Sequence, residues 1–233
     1  MKLYSGPVSL FSAKVRIALD EKRLACEHVG VGWSLERRYV PHHPEVLSLN
    51  PKGQVPVLVD GDVVVYDSTQ IFEYLEDRYP APPLYPADVA GRARCRRLEA
   101  LADEIVFPAV WDLVEEVFYP PSGAGRDARR AERARAQLAE LHAELDRELA
   151  GRESLCGAFS VADIAAFVMV STGAALGAPP DPARTSLVAW LARTAARPAV
   201  KREMDAMQAF VASLRAAPAE ARTAPVAAAA APA

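Results

Sequence analysis

NPKGQVPVLVDGDVVVYDSTQIFEYLEDRY, residues Asn50–Tyr79, decides the fold. Val55–Val59 and Val63–Tyr66 are valine-rich runs separated by Asp60-Gly61-Asp62. An Asp-Gly between two such runs signals a β-hairpin. In the stretch that follows, Ser68–Tyr79, the residues Ile71, Phe72, Leu75 and Tyr79 recur at helical spacing, which predicts a helix with one apolar face. Asn50-Pro51 is a breaker pair ahead of the hairpin. Pro56 stands where the first strand should begin, which suits an edge strand, and a cis bond there would be a deliberate feature.

Upstream of the hairpin, Lys2–Ser5 reads as a strand and Ser12–Lys22 as a helix, with Val15, Ile17, Ala18 and Leu19 set among Lys14, Arg16, Asp20 and Glu21. Glu27–Val31 reads as a second strand and Pro44–Leu49 as a short helix. The order is βαβ followed by ββα, an α/β unit with a mixed sheet. Downstream, PAPPLYP (Pro80–Pro86) cannot continue a helix and reads as a stiff linker. Beyond it strand signals nearly vanish. Ala90–Phe118, with a kink expected at Pro108, Arg126–Leu149, Ser160–Leu176, Leu187–Thr194 and Ala199–Leu214 all read as helices. The expected organisation is a first domain over 1–80, a linker over 81–86, an all-α helical bundle over 87–215 and a disordered Ala/Pro-rich tail over 216–233.

Composition narrows the function. The chain has 233 residues, 51% hydrophobic and 24% charged, with a net charge of -3, an ordinary balance for a folded soluble protein. The slight acidity gives no electrostatic reason to expect nucleic acid as partner. The uncharged stretch Ile164–Pro180 is interrupted by Ser171, Thr172, Gly173 and Gly177 and is short for a membrane span. It reads instead as a helix buried at the centre of the helical part. Cys26, Cys95 and Cys156 are too few and too scattered for a disulfide framework or a zinc site. A reducing, cytoplasmic setting with no metal and no membrane is expected.

Three segments carry chemistry. In Gly6-Pro7-Val8-Ser9-Leu10-Phe11-Ser12, hydroxyls lie at the start of the first helix, where free N–H groups and the dipole stabilise an anion, a thiolate included. Ser9 and Ser12 have the i, i+3 spacing of a Cys-x-x-Cys pair; either could simply be the N-cap, the favoured reading for Ser12 and one evenly balanced against a functional role for Ser9. A bend at Pro56 would leave the N–H and C=O of Val55 open to a peptide-like ligand, against the plainer reading of a turn and edge strand. Asp67 and Ser68 open the helix after the hairpin, where one could pair with an ammonium and the other hold a carboxylate, as an amino-acid end requires, or one could simply be a cap.

Together, KLYSGPVSLFSAKVRIAL (Lys2–Leu19), NPKGQVPVL (Asn50–Leu58), YDSTQIFEYLEDRYP (Tyr66–Pro80), FSVADIAAF (Phe159–Phe167) and WLARTAARPAVK (Trp190–Lys201) resemble the cytosolic glutathione S-transferases, serine-type class, over roughly residues 1–214. The resemblance implies an α+β thioredoxin-like N-terminal domain with a four-stranded mixed sheet, an all-α C-terminal domain and usually a homodimer. It implies glutathione as co-substrate and a small hydrophobic electrophile as acceptor, bound in a cleft between the domains. Ser9 matches the catalytic serine, and Val55 before Pro56 matches the backbone clamp on the cysteinyl part of glutathione. Asp67 and Ser68 match the pair that holds the γ-glutamyl end, where many members have Glu-Ser. Lys52 and Gln54 lie where side chains often reach glutathione; His42 is a candidate for the glycyl carboxylate or a loop histidine.

Two departures from the family pattern matter. The Ser-Ser-Cys run of the maleylacetoacetate isomerase-like class is missing, and position 9 is Ser rather than Cys, which weakens reductase readings. Tyr4, at the end of the first strand, is a rival hydroxyl, read as packing beside the site. Ser160-x-x-Asp163 reads as a structural capping box with Asp in place of Glu or Gln.

Overall fold

The computed structural model describes residues 1–40, 42–119 and 128–216. The described chain divides into two compact units, one of residues 1–82 with 198–216 and one of residues 83–197.

The first unit is built on four strands, β1 (Lys2–Ser5), β2 (Glu27–Gly30), β3 (Val57–Asp60) and β4 (Val63–Tyr66), in the order β2-β1-β3-β4. β1 runs parallel to β2 and antiparallel to β3, and β3 is antiparallel to β4, so the sheet is mixed as expected. Helix α1 (Leu10–Glu21) crosses between the parallel pair, α2 (Pro44–Leu49) precedes the hairpin and α3 (Ser68–Arg78) follows it. Alternation along the strands gives the sheet two apolar faces. Tyr4 and Val57 pack with Val31 and with Val46 of α2, while their neighbours Leu3 and Leu58, also buried, point the other way. α1 packs on α3, burying Ala13, Val15, Ile17, Ile71 and Leu75 completely.

The edge-strand reading of Pro56 is corrected. β3 lies inside the sheet between β1 and β4. Pro56 sits one residue ahead of the first ladder position, where its missing N–H removes no ladder bond. The Val55–Pro56 bond is cis.

Lys22 closes the end of α1. Its ammonium is buried and donates to Glu76 Oε2 at 2.7 Å, to the Tyr79 carbonyl at 2.8 Å and to the Pro82 carbonyl at 3.0 Å. One cation thereby uses its three donors to tie α1 to the end of α3 and to the chain beyond it.

The last helix, α9 (Pro198–Ala216), belongs to this first unit and not to the helical part in which 87–215 was expected to lie. It packs on α1. Arg16 makes a forked pair with Glu203 at 2.8 and 2.6 Å, Arg202 reaches Asp20 at 2.5 Å, and the Trp33 and Phe210 rings meet edge to face at 6.0 Å.

The second unit is all helical: α4 (Val89–Leu101), a π-helical segment (Ala102–Val106), α5 (Phe107–Phe118), α6 (Ala128–Glu148), α7 (Val161–Ala175) and α8 (Thr185–Ala195). The kink expected at Pro108 takes the form of that π segment. Proline has no N–H for the carbonyl four residues back, and a widened turn absorbs the mismatch. α7 packs against α4, α5 and α8, with Val161–Val170 wholly buried. Its start is organised by Asp163, whose carboxylate accepts from the Ser160 N–H and hydroxyl, the Leu155 N–H at 2.9 Å and Trp190 Nε1 at 2.8 Å. The capping box is therefore also the joint between α7, α8 and the preceding loop. The tail from residue 217 lies outside the described residues.

Candidate active site

Sheet register assembles the site. Tyr4, Val57 and Tyr66 share one rung. Just past that rung β1 leads into Gly6–Ser9, β3 is entered from Gln54–Pro56, and β4 leads into Asp67–Ser68. All three segments singled out in the sequence therefore leave the sheet at the same end. Lys52 Nζ closes the group by meeting Asp67 Oδ2 at 2.7 Å. The His42 ring lies 3.7 Å from where a side chain on Gly53 would begin, so His42 borders the same loop, with its own side chain exposed.

Ser9, not Ser12, is the N-cap of α1. Its Oγ accepts from the Ser12 N–H at 3.2 Å. The favoured cap in the sequence was one turn too late, because α1 starts at Leu10 rather than Ser12. Ser12 is buried and its Oγ accepts from the Gly6 N–H at 3.3 Å. The Gly6 carbonyl accepts from Ser9 N–H at 3.4 Å and from Arg16 Nη1 at 3.1 Å. Both ends of the Gly6 residue are thus gripped by α1 side chains, and the turn that carries Ser9 is fixed. The Tyr39 ring lies against Gly6 so closely that a Cβ there would collide with it. Capping uses a lone pair of Ser9 Oγ and leaves its proton available to a ligand.

Tyr4 is not a free hydroxyl. It donates to the Glu45 carboxylate; that bond, with burial second, pushes its pKa up to about 12. Its proton stays in place at any physiological pH, and its ring is core.

Among the described residues no hydrogen bond occupies the N–H or C=O of Val55. Its loop is shaped by Asn50, a buried residue that stands out in the sequence only as half of a breaker pair. Asn50 Nδ2 donates to the Gln54 carbonyl at 2.8 Å, its Oδ1 accepts from Lys52 N–H at 3.0 Å, and its carbonyl accepts from Gly53 N–H at 2.8 Å. An Asn opening a turn that closes on glycine was the available signal. The Gln54 side chain is exposed.

Asp67 has φ 67°, a left-handed conformation that few non-glycine residues adopt and that clusters at functional sites. As N-cap of α3 it makes no side-chain capping bond; its carboxylate goes to Lys52, whose ammonium is held above its usual range by that bond. Ser68 is buried at the first position of α3, among N–H groups that have no partner within the helix. Acid, hydroxyl and helix N-terminus can receive an ammonium and a carboxylate side by side. On α5 the Phe107 and Trp111 rings lie 5.9 Å apart, tilted by 38° to each other.

The glutathione S-transferase N-terminal domain family matches residues 3–83. Glutathione S-transferase 3 of Zea mays is 32% identical over 215 residues, 89% of this chain and 94% of that one. A stringent starvation protein A homolog of Coxiella burnetii is 41% identical over 100 residues, 42% of this chain; the match spans 44% of that protein, less than half its length. The crystal structure of a glutathione S-transferase from Rhodospirillum rubrum F11 superposes with a TM-score of 0.75 at 32% identity, covering 87% of this chain and 90% of that one. The chain belongs to the glutathione S-transferase family. Among the described residues no helix is long and apolar enough to cross a membrane, and no group of three or more His, Cys, Asp or Glu could hold a metal ion.

Proposed function

We propose that the protein is a glutathione transferase in which Ser9 activates the glutathione thiol for attack on a small hydrophobic electrophile. The observation that carries this reading is the Ser9 hydroxyl: it caps α1 through a lone pair, is held in a fixed turn, and keeps its proton for a sulfur placed before it. Asp67 and Ser68 would take the γ-glutamyl end, and the Val55 backbone after Lys52 and Gln54 the cysteinyl part. His42 borders the loop where the glycyl carboxylate would lie.

The energetics are sufficient. A free thiol has a pKa of about 8.5. Lowering it by two units takes about 2.7 kcal/mol, and one hydrogen bond to an ionised group contributes about 1.5–3 kcal/mol. One hydroxyl assisted by a helix N-terminus meets that requirement. The test is a pH titration of the bound glutathione thiolate by its ultraviolet absorbance. Wild type should show a pKa well below that of free glutathione, and Ser9→Ala should return it towards the free value while keeping glutathione bound. An unshifted thiol in wild type would overturn the reading.

A second reading is an interaction module on the same fold, favoured by the likeness to a protein named for stringent starvation rather than for a transferase. It requires neither an available Ser9 proton nor an open Val55 backbone. Failure to be retained on immobilised glutathione would favour it.

A further inference from the structure

Two cysteines that look scattered in the sequence meet in the helical unit. Cys95 is on α4 and wholly buried; Cys156 is half-buried in the loop before α7. The segments are joined next door, where Arg94 Nε donates to the Leu155 carbonyl at 3.1 Å, and Leu155 N–H is held in turn by Asp163 at 2.9 Å. The two thiols hydrogen-bond to each other, both reach the Ser160 side chain, and the Cys95 sulfur also bonds the Ala162 backbone in the first turn of α7.

We propose that Cys95 and Cys156 form a reversible dithiol–disulfide site, with small-molecule disulfides as its oxidants. Cys156, the less buried residue of the two, loses its proton to solvent and attacks one sulfur of the oxidant. A mixed disulfide forms and the first thiolate leaves. The Cys95 thiolate, having released its own proton, then attacks Cys156 Sγ, forms the internal disulfide and expels the second thiolate. Two protein thiols give up two protons and two electrons, and one disulfide molecule becomes two thiols. The hydrogen bond from Cys156, with the Ala162 backbone adding to it, holds the Cys95 thiol below its ordinary range. The same bond, and burial, push Cys156 up, so the first step should quicken as pH rises.

The step is independent of the Ser9 site, and its test separates the two. The reduced full-length protein is incubated with glutathione disulfide and, in parallel, with 2-hydroxyethyl disulfide, which has no γ-glutamyl or glycyl group. Free thiols are then alkylated and peptides mapped by mass spectrometry. Both oxidants should yield a Cys95–Cys156 linked peptide, lighter by two hydrogens, that dithiothreitol abolishes. The same link should form in Cys26→Ser, excluding exchange through the third cysteine. A small-molecule adduct that persists on Cys156 without the internal link, or alkylation of both thiols after oxidation, would overturn the proposal.

Discussion

At the scale of single residues, Ser9 and Ser12 differ only in where α1 begins, and that difference assigns their roles. Ser9 keeps a donor proton; Ser12 spends its lone pair on Gly6 inside the fold. Asp67 shows a related division of labour. In this structure the Lys52 ammonium sits on its carboxylate; on the proposed function it stands where the ligand's ammonium would go. Ligand binding would then release Lys52 towards the ligand's carboxylates. Asp67→Asn removes the charge while preserving shape and a left-handed conformation Asn tolerates. It should raise KM for glutathione by about 10–100-fold, the equivalent of one charge-assisted hydrogen bond, with kcat changed far less. Steady-state kinetics at varied glutathione would show it; an unchanged KM would remove Asp67 from the site. The position of Asp67 and Ser68 between hairpin and helix was legible in sequence because both elements carry short-range signals. The choice between Ser9 and Ser12 was not, because composition locates a helix start only to within about a turn.

At the scale of elements, two buried ionisable groups give opposite tests. Lys22 meets Glu76 and two carbonyls, so Lys22→Met removes a buried cation from beside a buried carboxylate and should cost about 3–5 kcal/mol in urea unfolding, whereas Lys22→Met with Glu76→Leu should recover much of it. A double variant no better than the single would show that packing, not charge, is what Lys22 supplies. His142 on α6 is buried, its Nε2 has no partner among the described residues, and burial depresses its pKa to about 4. The unfolded chain therefore binds a proton that the folded chain refuses between about pH 6.5 and 4. Stability associated with this group is complete above pH 6.5, is lost as pH falls towards 4, and changes no further below that. The loss is on the order of 2–3 kcal/mol. His142→Leu should flatten that part of the stability profile and be close to neutral at pH 7; an acid limb as steep as wild type would assign the loss to other groups. Neither feature was visible in sequence, because both depend on which face of a helix meets which neighbour.

At the scale of the whole molecule, the order of elements was legible and their grouping was not. The valine runs, the Asp-Gly turn and the proline-rich linker act over a few residues, and the structure follows them closely from Lys2 to Arg78. The interior position of β3 is a property of strand order, which no local signal contains. The attachment of α9 rests on Arg16 and Glu203, separated by 187 positions in the chain. Val200 is wholly buried on that helix. Val200→Asp should destabilise the first unit by at least about 3 kcal/mol. Limited proteolysis should then leave fragments within residues 83–197 and degrade residues 1–82; survival of residues 1–82 would show that the first unit stands without α9.

The same grouping orders events in time. A chain made from its N-terminus completes the helical unit when residue 197 appears, while the sheet, synthesised first, still lacks its last helix. At about 5–20 residues per second, residues 83–197 hold that unit open for on the order of ten seconds. Through that interval Arg16 and Asp20 await partners that the ribosome has not yet made. The turn that carries Ser9, which Arg16 steadies, would thus be the last part of the first unit to reach its final form.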